Sequence, residues 1–304
     1  LDHLARTGRP GTVERGALPG LHRVRFALAG RPRVSIIIPS ACRPLPTRTG
    51  TTYHVARCAD SIRRKSTYDN YEILLVHHED DLAPPLTEEL DWLAVRRVGY
   101  RSAFNWSAVM NRGAAAAEGD YLLFLNDDME VITPDWLEAL LEFAQQPEVG
   151  AVGGKLLFPG GELQHVGVVV ADCTPRHAFY RFPGAHPGYF SSSLVHRNVS
   201  AVTGACLMTR AETFRSLGGF PEELALNYSD IDYCLRLLAK KRRVVFTPHA
   251  QLYHHESCTK SGTYEAELNA FRARWRGQWQ RDPYYNPNLS SHFQDYRIDL
   301  GQGG

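Results

Sequence analysis

Residues Tyr121–Glu130, with the sequence YLLFLNDDME, decide the fold of this chain. The first five residues are all apolar, which is typical of a strand buried on both faces at the centre of a parallel sheet. The apolar run stops at two adjacent acids, Asp127 and Asp128, which therefore lie where the strand leaves the core. Ligands of open α/β sheets bind at this carboxyl edge. The stretch predicts a central strand that brings two carboxylates to a ligand site.

The two acids also predict a metal site. Adjacent carboxylates repel each other unless a positive charge lies beside them. Hard divalent cations such as Mn2+ and Mg2+ take oxygen ligands and keep positions open for substrate phosphates. We therefore expect Asp127 and Asp128 to bind Mn2+ or Mg2+; a solvated turn between strand and helix is the alternative interpretation.

Composition limits the classes of protein to consider. The 304 residues are 43% hydrophobic and 22% charged, which is ordinary for a globular protein with a sizeable core. A formal net charge of +1 gives no general electrostatic reason to bind nucleic acid. No stretch approaches the roughly 18 consecutive apolar residues of a membrane span. Six cysteines without a Cys-x-x-Cys pair favour reduced thiols and a cytoplasmic location.

Strands and helices alternate along the chain. Val34–Ile38 and Tyr71–Val76 have the pattern of buried strands, and His54–Arg64 between them has that of a helix. This order is a βαβ unit, whose strands pair in parallel. Further predictions are a helix over Trp106–Ala117, a helix that starts with Thr133 as its cap, a β-rich segment over Val149–Val170, a loop over Thr174–Ser193, and strands over Val199–Arg210 and Val244–Phe246.

A second acidic site is predicted where a helix begins near Ser229. Apolar residues repeat at helical spacing after this point, and the cationic run Lys240–Arg243 suits the end of the helix. Asp230 and Asp232 both fall in the first turn. Asp232 fits a capping box with Ser229, whereas Asp230 is not needed to close that box. Because the helix dipole keeps a carboxylate ionised, Asp230 is the better candidate for a general base.

Two further features lie near the C-terminus. The tandem His254 and His255, followed by Glu256, favours one imidazole that completes the coordination of a cation. An aromatic stripe from Tyr264 to Trp279 predicts a helix packed on the core, with its arginines as a solvated face. An approach of these arginines to an anionic lipid-linked acceptor or to the membrane surface is the alternative.

A set of short motifs recurs at the ends of these elements. The motifs are Val34–Ser40, Asn105–Arg112, Leu125–Glu130, Gly150–Leu156, Gln164–Gly167, Thr203–Cys206, Gly218–Phe220, Asp230–Arg236, His254–Ser257 and Asp282–Leu289. In order and spacing the set resembles family 2 glycosyltransferases, and most of all the bacterial branch that builds O-antigen and other surface polysaccharides. The resemblance covers about residues 33 to 290.

The resemblance implies an α/β fold of the GT-A type, a Rossmann-like mixed sheet flanked by helices, with a nucleotide-binding half followed by an acceptor-binding half. It implies an inverting, metal-dependent transfer of a sugar from a UDP- or dTDP-linked donor to a hydroxyl of a growing saccharide, free or lipid-linked. The reaction would serve cell-surface polysaccharide biosynthesis, in the cytoplasm or at the inner face of the cytoplasmic membrane. Residues 33–260 would form the GT-A domain, 1–32 an N-terminal arm or linker, and 261–304 a C-terminal helical extension and tail.

Individual roles follow from the same resemblance. Asp230 matches the catalytic base. The metal residues are Asp128, which meets the cation, Asp127 and His254, with His255 as a weaker alternative to His254. The expected donor-binding residues are Pro39, Ser40, His77, Asn111, Arg112 and Asn126, and the expected acceptor-binding residues are Gly204, Ala205 and Asp232.

The sequence departs from the family pattern at two places. His77 and His78 end the second strand, where the family usually has an acid that reads the nucleobase, and the loop Cys42–Thr52 is longer than usual. The start of the chain is polar and lacks an initiator Met, which suggests a domain cut from a longer protein. Two other functions therefore stay open: a sugar nucleotidyltransferase, and a catalytically silent carbohydrate- or nucleotide-binding module of a larger polymerase.

Overall fold

The structure is a computed structural model that describes residues 2–47, 50–82, 84–255, 264–290, 293 and 295–299. Its helices are α1 (Asp2–Arg6), α2 (His54–Lys65), α3 (Pro84–Trp92), α4 (Trp106–Ala116), α5 (Trp136–Ala144), α6 (Ala211–Ser216), α7 (Ser229–Ala239) and α8 (Tyr264–Trp275). Its strands are β1 (Gly11–Arg15), β2 (His22–Phe26), β3 (Val34–Ser40), β4 (Pro44–Thr47), β5 (Gly50–Tyr53), β6 (Tyr71–His78), β7 (Val95–Tyr100), β8 (Tyr121–Leu125), β9 (Met129–Val131), β10 (Val149–Leu157), β11 (Leu163–His165), β12 (Val168–Ala171), β13 (Thr174–His177), β14 (Arg197–Asn198), β15 (Cys206–Arg210) and β16 (Arg243–His254).

A ten-stranded mixed sheet forms the centre of the molecule, in the order β14-β16-β10-β15-β8-β3-β6-β7, with β11 paired to β10 and β9 paired to β16. Strands β8, β3, β6 and β7 run in parallel. The antiparallel strand β15 joins this half to β10 and β16. Strand β8 is buried along its whole length at the centre of the sheet, as its apolar run predicts.

Helices cover both faces of the sheet, because alternate side chains of the central strands enter two separate cores. Ile36 and Ile38 of β3 pack in one core together with α2 and α5, whereas Ile37 packs in the other together with α4 and α7. A strand with apolar neighbours on both faces has no polar alternation. The mixed α/β sheet with flanking helices therefore confirms the predicted fold class.

Two predicted strands have different lengths in the structure. The strand expected over Val199–Arg210 is confined to its last five residues, because the N–H of Gly204 bonds to the Asp230 carboxylate and not to a neighbouring strand. The strand expected over Val244–Phe246 extends to His254, because it pairs first with β10 and then also with β9. The second difference carries the tandem histidines to the edge of the sheet.

Two helix-capping predictions are wrong. The hydroxyl of Thr133 does not cap α5; it donates to the carbonyl of His249 and accepts from the N–H of Gln251 in β16. Helix α7 follows Tyr228, which lies in the left-handed region at φ 66° and makes no side-chain cap. Asp232 therefore does not close a capping box, and its carboxylate bonds to side chains elsewhere in the fold.

The N-terminal residues form more structure than the predicted arm or linker. Strands β1 and β2 pair as an antiparallel hairpin, and Arg23 and Arg25 of β2 each donate to Asp135 at 3.0 Å. Arg25 also contacts the buried Glu142 of α5. The hairpin is held on the sheet domain by ion pairs to residues more than a hundred positions away. The predicted boundary at residues 260 and 261 lies outside the described residues.

Candidate active site

The acids after β8 meet a histidine from β16. Asp128 is 6% exposed, and its Oδ1 lies 3.1 Å from Nε2 of His254. Pairing of β16 with β9 sets His254 opposite Met129, and the N–H of His255 donates to the Asp128 carbonyl. The backbone of two strands thus brings the predicted metal acid and the predicted metal histidine together.

Nδ1 of His254 faces away from Asp128. Nδ1 of His254 hydrogen-bonds the side-chain oxygen of Gln164, which accepts, so Nδ1 is the protonated nitrogen. Nε2, on the other side of the ring, faces Asp128, and the amide nitrogen of Asn126 lies 3.2 Å from it. An imidazole whose Nδ1 is held by a second group in this way can ligate a metal through Nε2.

Asp127 faces a different partner from Asp128. Its Oδ2 accepts a 2.5 Å hydrogen bond from the hydroxyl of Ser40, at the end of β3. Burial raises the pKa of Asp127 to about 6, and the Ser40 hydrogen bond opposes that rise. The Ser40 hydroxyl also accepts from the N–H of Cys42. Ser40 therefore connects Asp127 to β3 and to the loop that follows it.

His255 belongs to a neighbouring ion pair. Its Nε2 lies 3.3 Å from Oε2 of Glu130, whose other oxygen accepts from Lys65. The geometry therefore favours His254 as the metal histidine, as expected. The last two residues of that motif, Glu256 and Ser257, lie outside the described residues.

The side chains of Asp128 and His254 suit a divalent cation that is shared with the substrate. In the described part of the chain, no three His, Cys, Asp or Glu side chains form a ready-made metal cluster. Asp128 and His254 could supply one oxygen and one nitrogen ligand at the carboxyl edge of the sheet. Mg2+ and Mn2+ are commonly held by one or two protein ligands together with substrate phosphates, so this small set suits a cation that arrives with its substrate.

Asp230 is held at the start of α7 by two backbone hydrogen bonds. Its Oδ2 accepts from the N–H of Gly204 at 2.6 Å, and its Oδ1 accepts from the N–H of Ile231 at 2.8 Å. Hydrogen bonds from N–H groups to a carboxylate stabilise its charged form. The side chain is only partly buried, so a substrate hydroxyl can reach it.

Gly204 and Ala205 connect the two acidic sites. Ala205 accepts a hydrogen bond from the N–H of Asn126, at the start of the acidic motif, and Gly204 donates to Asp230. Asp230 and the acids after β8 therefore lie at one edge of the sheet, on either side of a two-residue segment. A Cβ on Gly204 would lie 2.6 Å from the Trp106 ring. Trp106 was not among the predicted site residues, although it follows Asn105 in one of the motifs.

Asp232 requires a correction, because it is fully buried. Its carboxylate accepts from Arg236 at 2.7 Å, from Arg274 at 2.9 Å and from the indole N–H of Trp275 at 3.0 Å. With no exposed atom and three donors, it cannot contact an acceptor in this structure. Asp232 instead joins α7 to α8.

Asn111 also has a structural partner. Its amide accepts from the N–H of Phe220 at 2.8 Å and donates to the carbonyl of the same residue at 2.9 Å. Gly219 beside it lies at φ 72°, and a Cβ there would come within 2.5 Å of the Asn111 side chain. Asn111 therefore fixes the Gly218–Phe220 turn, and a direct contact with the donor is not supported. The neighbouring Arg112 is exposed, and its role in donor binding stays a prediction.

The expected nucleobase site lies beside Ser40. In the parallel pairing of β3 with β6, Ser40 is opposite His77, and Pro39 before it is buried. His77 is 5% exposed and its Nδ1 donates to the carbonyl of His78 at 2.7 Å. His78 in turn accepts from the N–H of Asp80 and caps a short turn. Base recognition by His77 stays a prediction.

Comparison with known proteins decides the family. Residues 53–212 match the family described as glycosyl transferase family 2. This chain belongs to that family. It is 40% identical to the O-antigen biosynthesis protein RfbC of Myxococcus xanthus, over 95% of this chain and 23% of that protein. It is 37% identical to protein y4gI of Sinorhizobium fredii, over 97% of this chain and 33% of that protein. The chain thus spans about a quarter to a third of the length of these relatives.

Solved structures of other glycosyltransferases share the fold. GalNAc-T7, solved with UDP, GalNAc and Mn2+, aligns with a TM-score of 0.62 at 14% identity, over 82% of this chain and 49% of that chain. The mannosyltransferase PcManGT of Pyrobaculum calidifontis, solved with GDP-Man and Mn2+, aligns with a TM-score of 0.54 at 15% identity, over 84% and 64%. The predicted GT-A fold, family and enzyme class are confirmed. No helix in the described ranges is long and apolar enough to cross a bilayer.

Proposed function

We propose that this glycosyltransferase moves a sugar from a UDP- or dTDP-linked donor to a hydroxyl of a growing saccharide, with inversion at the anomeric carbon and with Mn2+ or Mg2+. The observation that carries the proposal is the arrangement of Asp128 with His254 at one end of the Gly204–Ala205 segment and Asp230 at the other. The name of RfbC supports a role in cell-surface polysaccharide biosynthesis, and the Mn2+ in two related folds supports the cation.

Asp128 and His254 would hold the cation, with Asp127 beside them. When bound, the cation supplies positive charge that stabilises the nucleoside diphosphate as it leaves. Asn126 would orient His254 through its amide, and Ser40 would hold Asp127 in place. The protein would thus contribute an oxygen ligand from Asp128, a nitrogen ligand from His254, and the hydrogen bonds that hold His254 and Asp127 in place.

Asp230 would act as the general base. It takes the proton of the acceptor hydroxyl as the acceptor oxygen forms a bond to the anomeric carbon. The bond from that carbon to the phosphate oxygen of the donor breaks on the opposite face, and the electron pair leaves with the diphosphate. Attack from the face opposite the leaving group inverts the anomeric configuration.

A panel of nucleotide sugars tests the proposal. The purified chain is incubated with UDP-, dTDP- and GDP-linked sugars in Mn2+ or in chelator, and released nucleoside diphosphate is measured. We expect release from a UDP or dTDP sugar that the chelator abolishes and a saccharide acceptor accelerates. Release of pyrophosphate from a nucleoside triphosphate and a sugar phosphate would instead identify a nucleotidyltransferase. Binding without any release in every arm would identify a silent module.

A further inference from the structure

A cavity of about 330 Å3 opens beside the end of α7, away from Asp230. Asp230 lies in the first turn of α7, and Ala239 at its end is nine residues further on, which is about 13 Å along the axis. Aromatic and apolar side chains make most of the lining. The lining residues used below are Leu238, Trp275, Gln278, Trp279, Pro283 and Tyr284.

Exposed cations lie next to the lining residues along the chain. Three of them follow α7 directly, one follows Trp275, and one lies between Trp279 and Pro283. None of them has a side-chain hydrogen bond or an ion pair with any residue that the structure describes. We call this group, together with the cavity lining, the basic aromatic surface. Its cations are Lys240, Lys241, Arg242, Arg276 and Arg281.

The charge on this surface is not balanced locally. Asp282, the acid nearest in sequence, is buried and accepts from the N–H groups of Val170 and Tyr284. The five cations therefore have no acid paired with them among the described residues, although the whole chain has a formal charge of only +1. A concentration of unpaired, exposed cations favours a polyanionic partner.

The lining indicates which polyanion fits. Tyr284 is exposed and Trp279 is partly exposed, and such aromatic rings have a preference for the boundary between lipid and water, whereas Trp275 is buried and its N–H donates to Asp232. Lys and Arg beside them pair with anionic headgroups. A polysaccharide would need many hydrogen-bonding partners for its hydroxyls, and among the described residues the lining contains one amide side chain, that of Gln278, and no carboxylate. The combination favours a lipid surface over an anionic glycan.

We propose that the basic aromatic surface docks this protein on membranes that contain anionic phospholipid. Tyr284 and Trp279 lie at the interface, and the surrounding cations contact the headgroups. Docking leaves the edge of the sheet that carries Asp230 open to substrates, because the surface is at the far end of α7. The inference goes beyond the proposed transfer reaction, and none of its residues belongs to the candidate active site.

Vesicle sedimentation tests the docking surface. The probes are vesicles of phosphatidylcholine alone and of phosphatidylcholine mixed with phosphatidylglycerol, at low and high salt. We expect binding only to the mixed vesicles, and weaker binding at high salt. Lys241→Gln combined with Arg276→Gln and Arg281→Gln should lower the partition coefficient about 100-fold, since each cation near an anionic surface contributes severalfold.

A control variant has the same loss of charge elsewhere. Arg6→Gln combined with Arg15→Gln and Arg43→Gln removes three exposed cations that have no side-chain partner among the described residues, and it should bind vesicles like the parent. If the test variant unfolds, Lys240→Gln with Lys241→Gln alone should still lower binding about tenfold. Equal binding to both kinds of vesicle, equal losses in test and control variants, or binding to an anionic polysaccharide without binding to vesicles would overturn the proposal.

Discussion

The carboxylate of Asp230 accepts a 2.6 Å hydrogen bond from the backbone N–H of Gly204. The next residue, Ala205, accepts from the N–H of Asn126, which begins the acidic motif after β8. The candidate base and the candidate metal acids are therefore connected through main-chain atoms of one short segment. Because main-chain positions vary less than side-chain rotamers, the relative position of the two acidic sites is set by the fold.

Asp230→Asn should abolish transfer but leave donor binding intact. The asparagine oxygen can still accept from Gly204, and only the hydrogen bond from the N–H of Ile231 is lost, but the side chain can no longer take a proton. We expect kcat to fall at least about 1000-fold, and the Kd of the nucleotide sugar to stay the same by calorimetry. Asp172→Asn, at an exposed acid in the β12–β13 turn, is the control. Near-normal turnover of the Asp230 variant would disprove the base assignment.

The two adjacent histidines should respond differently to substitution. His254→Ala removes the imidazole beside Asp128 and should weaken Mn2+-dependent donor binding about 10- to 100-fold. His255→Ala breaks the contact with Glu130 and should leave that affinity unchanged. Calorimetric titration of donor in Mn2+ and in chelator measures both. Asp128→Ala should match the His254 variant, and an unchanged affinity for Asp128→Ala would exclude the metal site.

Gly204→Ala should impair transfer through a steric clash with Trp106. The new Cβ would lie 2.6 Å from the ring, so the indole or the segment must move, and Asp230 moves with its hydrogen bond. Trp106→Phe removes the clashing ring atoms. We therefore expect the double variant to lose little more activity than Trp106→Phe alone, whereas additive losses would show that the clash is not the cause.

Asp232→Asn should destabilise the fold. Its loss of charge leaves Arg236 and Arg274 facing a buried neutral group, and breaking such a pair costs about 3 kcal/mol or more of unfolding free energy. Urea unfolding measures this loss. The same change at Asp230 should alter the unfolding free energy by less than about 1 kcal/mol, in the range of a partly exposed site. Equal stability losses at the two positions would contradict the assigned roles.

Glu142 should make stability dependent on pH. Burial raises its pKa to about 7, against the charges of Arg23 and Arg25. Between about pH 4.5 and 7 the folded state then binds more protons at this site than the unfolded state, so its contribution to stability is lost as the pH rises through that window. Relative to Glu142→Gln, the parent should lose on the order of 2 kcal/mol over this range. If the free energy of unfolding changes equally with pH in the two proteins, the assignment is wrong.

Local patterns predicted much of this structure. The apolar runs of β3, β6 and β8 and the helical repeats of α2, α4 and α7 depend on neighbours within a few residues, and these elements are found where they were expected. The acids after β8 were placed by the same reasoning, since a parallel sheet presents its carboxyl edge to ligands. His254 was singled out because it stands in tandem with His255 beside an acid and because it matches a motif of the family.

Long-range partners explain what the sequence did not predict. The sequence suggested a capping role for Asp232, but two of its three donors, Arg274 and Trp275, come from α8, more than forty positions later. The hydroxyl of Thr133 bonds to β16 rather than to its own helix, across more than a hundred positions. Trp106 meets Gly204 only once α4 has packed on the sheet. Such contacts leave no periodic signal along the chain.

An α-helix advances about 100° per residue, so side chains two positions apart point in nearly opposite directions. In α7 this geometry aims Asp230 at the open edge and Asp232 into the interior. Any rotation of the helix about its own axis would separate both carboxylates from their partners at once. The packing that stabilises the domain therefore also maintains the orientation of the Asp230 carboxylate.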